Sequence, residues 1–470
     1  MLLAGGVTAQ TWQVAPRCPI NASTLLLLRD GRVLAHAGGT TNIALLTPDN
    51  FGSYSNGTWR LAASLPAGYA PFNYSSAVLP DGRVLFEGGE YIGGGHEVWS
   101  NLGAVYDPKA DVWTPVAPPV NWNYIGDGPS VLLPNGVYMQ ASCCSHIYQT
   151  ALLNAATMTW TEGPNSKIVN FGEQGWTLLP SGDVLSANNK TACGTDKGSQ
   201  VYRTATNTWD CGPELADLLY KVGPDNGELG STVLTYNGKV LQVSGNDVIG
   251  TDIYDVASNT WSTGPTPPVG YNQNDSPSVL EPNGLVLMVM WNSNPLSGDC
   301  QMFEFDPVAV TLTASPNPPE CPYGGAGLNS RMIPLPNGQI LLADFARVLE
   351  LYTPAPGIVA AAAPMGFPTS PLLHSGSQNN VMYGRQLNGL SQGVFYGDDY
   401  QGATNYPIVT LSDGAGHEWF AITHGDSYSG IAPGVVSYTR FDLPSMPAGA
   451  YVMSITTNGI KGNPMPVLVK

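Results

Sequence analysis

The chain has 470 residues, of which only 11% are charged, and its formal net charge is −17. That length exceeds what a single hydrophobic core usually supports, so two domains are expected. With 18 Lys and Arg against 35 Asp and Glu there is no basic footprint for nucleic acid or anionic membranes, and neutral or cationic partners fit better.

Residues 1–9 (MLLAGGVTA) are small and apolar but lack a charged leading segment. They read as the remnant of an export signal or as an ordinary flexible terminus. No apolar run approaches the roughly 20 residues of a membrane-spanning helix, so no membrane insertion is expected. Seven cysteines, two pairs of them at matching places in separate repeats, favour an oxidising compartment. The expectation is a secreted protein, extracellular or periplasmic, and a monomer. Sequons at Asn21, Asn56, Asn73, Asn189 and Asn274 would permit glycosylation.

Residues 10–355 carry a repeat. An apolar strand, a tight Asp/Asn/Ser-Gly turn and a second apolar strand recur at Asp30-Gly31, Asp81-Gly82, Asn135-Gly136, Ser181-Gly182, Asn237-Gly238, Asn283-Gly284 and Asn337-Gly338. Such dipeptides tolerate the positive φ a hairpin turn needs. A later phrase holds a Tyr strand and a Trp strand, as in Val105-Tyr106-Asp107 with Trp113, Val201-Tyr202 with Trp209 and Ile253-Tyr254-Asp255 with Trp261. Trp59 and Trp160 mark the same strand, and Leu312 replaces Trp in the sixth repeat. Four short strands, seven times over, define a β-propeller. The seventh repeat stops at Leu351-Tyr352-Thr353-Pro354 without its Trp strand, while Thr11-Trp12-Gln13-Val14 near the start matches the missing piece. The N-terminal strand is therefore expected to pair into the last blade and close the ring, hiding its edges. Residues 356–375 read as a linker. Residues 376–470, with runs such as Gly393-Val394-Phe395-Tyr396 and Pro407-Ile408-Val409, read as a β-sandwich.

The repeats, the tract Tyr396-Gly397-Asp398-Asp399 and Ile422-Thr423-His424 resemble the galactose-oxidase-like family. The resemblance implies an all-β fold: a seven-bladed kelch-type propeller followed by an early-set, immunoglobulin-like sandwich. In the copper enzymes of that family a C-terminal loop brings a histidine to the propeller axis, and His424 matches by context. The other copper-radical residues do not match. Aligned on the hairpin turns, Ala22 stands where the family has cysteine, Asn73 where it has tyrosine, and Leu328-Asn329 where it has a Tyr-His pair. Cys18 and Tyr74 lie nearby but out of register, and a one-residue slip turns a strand side chain to the other face. Tyr91 keeps an aromatic where the family stacks one. Copper is therefore not expected as a cofactor.

Loops entering the innermost strands gather around the propeller axis, where pockets of ring-shaped folds lie. Eight residues before each turn stand Ala22, Asn73, Asp127, Glu173, Leu229, Asp275 and Asn329, with Glu228 adjoining. Asp127, Glu173, Asp275 and Glu228 are thus candidate catalytic acids. Three readings follow: the acids satisfy backbone amides or face solvent, or two of them act as acid and base in glycoside cleavage, or several hold a hard cation such as Ca²⁺. Tyr91, Tyr124, Trp176, Tyr271 and Trp291, with Asn73, Asn329 and His424, are the candidate ligand-binding residues. Flat apolar rings beside carboxylates and amides suit sugars. Trp99 and Trp122 lie near the same loops. Cys193 with Cys211 and Cys300 with Cys321 read as structural bridges. Cys143-Cys144 reads as a vicinal disulfide, as partner to Cys18, or with His146 as a weak soft-metal site. The leading functional expectation is a carbohydrate-active protein that binds, and with paired carboxylates cleaves, a neutral or cationic glycan in the axial funnel. A non-catalytic glycan-binding or scaffold propeller and an oxidase with an altered copper site around His424 are the alternatives.

Overall fold

The computed structural model describes residues 10–95, 97–143, 148–168, 172, 174–222, 227–245, 248–273, 276–292, 300–320, 330–395 and 403–470. It is an all-β chain in which a seven-bladed propeller is followed by a curled C-terminal sheet. Blade 1 is a meander of Thr24–Leu27, Val33–His36, Ile43–Thr47 and Thr58–Leu61, and blades 2 to 6 repeat it over 75–116, 130–162, 177–211, 229–263 and 278–315. Every inner hairpin turns where the sequence places it. The seven turn glycines have φ between 77° and 93°, a region closed to most side chains.

Blade 7 consists of Arg331–Pro334, Ile340–Ala343 and Glu350–Thr353, and its fourth strand is Thr11–Val14, with Trp12 opposite Tyr352. The same outer pair recurs around the ring as Trp113 opposite Tyr106, Trp209 opposite Tyr202 and Trp261 opposite Tyr254. The indoles also join neighbouring blades. Trp59, Trp113, Trp160 and Trp12 donate Nε1–H to the carbonyls of Pro16, Ala63, Ala117 and Pro316, at 2.7 to 3.0 Å. Each acceptor lies just past the outer strand of the preceding blade, so one side chain packs within its own sheet and staples the next.

Among the described residues the C-terminal sheet has nine strands. Glu418–His424 pairs its first half with Ile408–Ser412 and its second half with Val436–Asp442, so the sheet folds over a core that includes Met382, Phe441, Met453 and Ile455. Two of its strands, Met365–Pro368 and Leu372–Leu373, fall inside the stretch expected to be linker. There the alanine run hides a short apolar alternation. The sheet covers the turn face of the propeller: a Cβ on Gly31 would strike Phe420, and Gly82 lies against the Thr423 carbonyl.

Val394–Phe395 departs from the expected sandwich. It leaves the C-terminal region and adds to the inner strand of blade 6 at Ser278 and Val279. Gln392 donates N–H to Leu234 O at 3.2 Å and accepts from Leu178 N at 3.0 Å, while Leu280 N donates to Gly393 O at 3.2 Å. The returning chain binds blade 1, where the Tyr406 hydroxyl donates to Leu27 O and Arg29 stacks over the Tyr406 ring at 4.8 Å. Described residues of the C-terminal region thus reach the inner strands of blades 1, 4, 5 and 6.

Candidate functional site

The described part of the mouth is built by the loops into blades 1, 2, 3 and 7. Pro71–Phe72 and Tyr91–Ile92 form a two-stranded ribbon over the entry to blade 2. At its base the Glu90 N–H donates to Asn73 O at 2.9 Å, and Asn73 Nδ2 donates to Glu90 Oε2 at 2.9 Å. The Tyr91 hydroxyl donates to the same carboxylate. Burial holds the Glu90 carboxyl above its ordinary value despite both donors. Burial, then the charges of Glu90, Glu97 and Asp127, pushes Tyr91 up to about 12, so its hydroxyl keeps its proton at neutral pH. Asp127 is 4% exposed and sits after Gly126, whose N–H bonds Ser100 O.

Aromatic rings surround these acids. Phe72 lies 6.2 Å from Tyr91 and 5.7 Å from Phe345, and Trp99 meets Tyr124 edge-on at 6.1 Å. Asn73, Trp99 and Phe345 all have positive φ, at 48°, 44° and 62°. Bulky residues pay for that conformation, and such strain gathers at functional sites. Phe345 is held there by its N–H to Ala22 O at 2.8 Å, with Ala22 N returning to Ala346 O at 2.9 Å. Sequence reasoning missed Glu90, Phe72 and Phe345. Glu90 stands at no fixed offset from a hairpin turn, and Phe345 is a ligand-facing candidate only once its positive φ is visible.

The expected site residues divide. Asn73, Tyr91, Tyr124 and Asp127 come together at this mouth. Glu228, half-buried, precedes the inner strand of blade 5. Glu173, Asp275 and Asn329 lie outside the described residues, as do Cys144, His146, Leu328 and the tract Tyr396-Gly397-Asp398-Asp399. Trp176 and Trp291 are corrections. Trp176 is fully buried against Trp209 at 5.3 Å, and Trp291 is 4% exposed in the main core. Tyr271 packs edge-on against Phe303 at 5.6 Å. Trp176 packs on Trp209 of its own blade 4, Tyr271 on Phe303 within blade 6, and Trp291 lies at the end of the second strand of that blade, so all three serve packing.

His424 is also corrected. It lies on the turn face, opposite the mouth, with Nε2 at 3.1 Å from Asp442 Oδ1. There it lines a cavity of about 340 Å³ with the turns at Asp30 and Asp81 and with Lys109, which pairs with Asp442 at 2.8 Å. Among the described C-terminal residues it is 392–395 that lie against the inner strands, not His424.

A copper-radical centre does not fit the described donors. Ala22 and Asn73 occupy the cysteine and tyrosine positions. The Tyr74 hydroxyl, 3% exposed, donates to His36 Nδ1 at 2.8 Å, while His36 Nε2 bonds Thr40 O at 2.8 Å. That imidazole is buried and its pKa is lowered to about 4, so it is neutral and committed at both nitrogens. Cys18 is a free, fully buried thiol pushed up to about 11 by burial, which removes it as a disulfide partner of Cys143. Cys143 is itself disulfide-bonded, so it is no thiolate metal ligand. Its partner and that of Cys300 lie outside the described residues, while Cys193–Cys211 is bridged. Of the sequons, Asn21 and Asn56 are exposed. Asn189 is buried and bonded to Gly172 O and Gly227 O.

The architecture is that of the galactose-oxidase-like fold, a seven-bladed propeller with a C-terminal sheet docked on its turn face. Among solved structures, 462 chains match it. One is described as a novel fungal alcohol oxidase with catalytic diversity among the AA5 family, in complex with copper. It is 13% identical, with a TM-score of 0.57, and the match covers 98% of this chain and 100% of that one. At that identity the likeness is one of fold. No protein-family model matches the sequence, and no curated protein matches it. No helix among the described residues is long and apolar enough to cross a membrane.

Proposed function

We propose that this chain is an exported carbohydrate-binding propeller of kelch type whose ligand, a neutral or cationic glycan, enters the mouth between blades 7, 1, 2 and 3. The observation that carries the reading is the cluster around Tyr91. A protonated phenol, the half-buried Glu90 carboxyl, Asp127 and the Asn73 amide lie within a ring of Phe72, Phe345, Trp99 and Tyr124. Aromatic faces take the C–H surfaces of sugar rings, and carboxylates and amides take their hydroxyls or an ammonium group. The solved neighbour, described as an AA5-family alcohol oxidase, shares the fold that presents such a mouth. Binding, rather than cleavage, is the activity these residues support; Glu90 with its raised pKa is the group through which an acid–base role would act.

The test is a titration of neutral and cationic oligosaccharides followed by tryptophan fluorescence, since Trp99 lies in the site. Glu90→Gln and Asp127→Asn should each weaken binding about tenfold, the worth of one charge-assisted hydrogen bond. Both variants should keep the wild-type melting temperature within a few degrees. Equal affinity in wild type and both variants would remove the mouth as the binding site. Release of shorter products by wild type but not by Glu90→Gln would instead extend the reading to cleavage.

A further inference from the structure

The C-terminal sheet presents a second surface of different chemistry. Three of its strands, Met365–Pro368, Asn380–Arg385 and Val436–Asp442, lie side by side in that order. Their residues alternate, with Gly366, Met382, Gly384, Ser437 and Thr439 buried and the alternate positions facing out. The register sets the outward side chains in rows across the strands. Met365, Arg385 and Val436 form one row. Phe367, Tyr383 and Tyr438 form the next, and Val381 with Arg440 a third.

Three facts distinguish this face. Phe367 on the edge strand and Tyr383 on the strand beside it are 51% and 47% exposed, large values for aromatic rings. None of the eight outward positions that stay accessible is acidic, and Asp442, next in the alternation after Arg440, is buried and paired with Lys109 at 2.8 Å. And Arg385 and Arg440 have no ion-pair partner among the described residues, whereas Arg29, Arg32, Arg60, Arg83 and Arg203 each have one. Tyr438 supports the arrangement: it meets Tyr383 edge-on at 5.7 Å and carries the Arg440 guanidinium over its ring at 5.9 Å. The aromatic row crosses two inter-strand steps, about 10 Å, and each arginine stands two residues to one side of it, about 7 Å along the strand.

We infer that this face is a binding platform for a polyuronate, a polysaccharide of carboxylated sugars, in which Phe367 and Tyr383 stack on sugar rings while Arg385 and Arg440 take carboxylates on either side. Charge complementarity selects the polymer. Guanidinium groups bind carboxylates with two parallel hydrogen bonds, and both here are unspent. The ring geometry selects its form. The planes of Tyr383 and Tyr438 differ by 65°, so the row offers no continuous flat face to a crystalline polysaccharide and suits a single flexible chain. The net negative charge of the whole chain does not oppose this at physiological ionic strength, where charges beyond about 8 Å are screened. The site is remote from the mouth and does not depend on what binds there.

Affinity electrophoresis of the full chain through native gels containing polygalacturonate tests the inference, with a polymer-free gel as reference. Wild type should be retarded, and gels cast with the same polymer after carboxyl reduction should not retard it. Arg385→Gln, Arg440→Gln and Tyr383→Ala should each weaken retardation about tenfold. All three side chains are at the surface, so melting temperatures should be unchanged. The mouth variant Glu90→Gln should be retarded as wild type is. Absence of retardation, equal retardation by the reduced polymer, or loss of retardation in Glu90→Gln but not in Arg385→Gln would each overturn the platform. So would a wild-type dimer in sedimentation that Tyr383→Ala converts to monomer, since the face would then belong to a second copy of this chain.

Discussion

Phe345 shows what single residues contribute at the mouth. A phenylalanine at φ 62° costs about 1–2 kcal/mol over ordinary backbone. Glycine there would remove that strain and add about 0.5–1 kcal/mol of unfolded-state entropy. Phe345→Gly is therefore expected to leave stability within about 1 kcal/mol of wild type while weakening glycan binding. Chemical denaturation and the fluorescence titration check the two halves separately. A large loss of stability would mean that the ring is a packing residue and not part of the site. Most of the site at this scale was hard to read in the sequence. Asn73 and Asp127 are legible because a fixed offset from a hairpin turn marks where each inner strand begins, and Tyr91 through the family resemblance. Glu90 and Phe345 stand at no such offset. Trp176 and Trp291 lie near the same loops in sequence yet belong to the core, since position along the chain does not say which way a side chain turns.

At the scale of elements, the propeller strands were legible because two strong local signals recur, the glycine turn with positive φ and the outer Tyr-Trp pair. The axial segment was not. Gly393-Val394-Phe395 reads like any sandwich strand, and only its partner, the inner strand of blade 6, reveals its place. The joint between the two regions can be tested at Arg29. Its guanidinium lies 2.7 Å from Asp426 with both side chains 2% exposed, while its Nε donates to Leu79 O at 3.1 Å. Removing one member of a buried ion pair leaves a desolvated charge. Arg29→Met should destabilise by about 3–5 kcal/mol, and the double variant Arg29→Met/Asp426→Leu by clearly less. Equilibrium denaturation that ranks the double variant as the worse of the two would contradict a coupled pair.

For the molecule as a whole, ionisation of buried carboxyls governs the response to pH. Glu281 and Glu304 meet inside the seam between blades 6 and 7. Burial and the adjacent Glu304 raise Glu281 from 4.5 to about 8. Glu304 accepts hydrogen bonds from Gln10, Ser315 and Tyr352, which gather the closing strand, blade 6 and blade 7 onto one carboxylate. Burial likewise raises Glu350 to about 7 and Asp252 to about 6, and holds Glu87 well above its ordinary value. In each case the folded protein keeps a proton that the unfolded chain has released. These groups therefore lower stability as pH rises from about 4.5 to about 8. His36 acts the other way: buried and neutral to about pH 4, it costs stability as pH falls below 6.5. Four raised carboxyls outweigh one imidazole, so the melting temperature should be highest near pH 5 and fall toward pH 8. Glu281→Gln should flatten the upper part of that fall. A melting temperature that rises from pH 5 to pH 8 would refute the assignment.

Ring closure by Thr11–Val14 also orders events during biosynthesis. The partner of this first-made strand, Glu350–Thr353, emerges from the ribosome some 340 residues later. At about 5–20 residues per second the wait is on the order of half a minute. Throughout that interval six sheets can assemble while one tryptophan-bearing segment stays unmatched, and only the arrival of the last blade retires it. A chaperone that holds Thr11–Val14 during that interval would therefore shield a strand whose partner is made long after it.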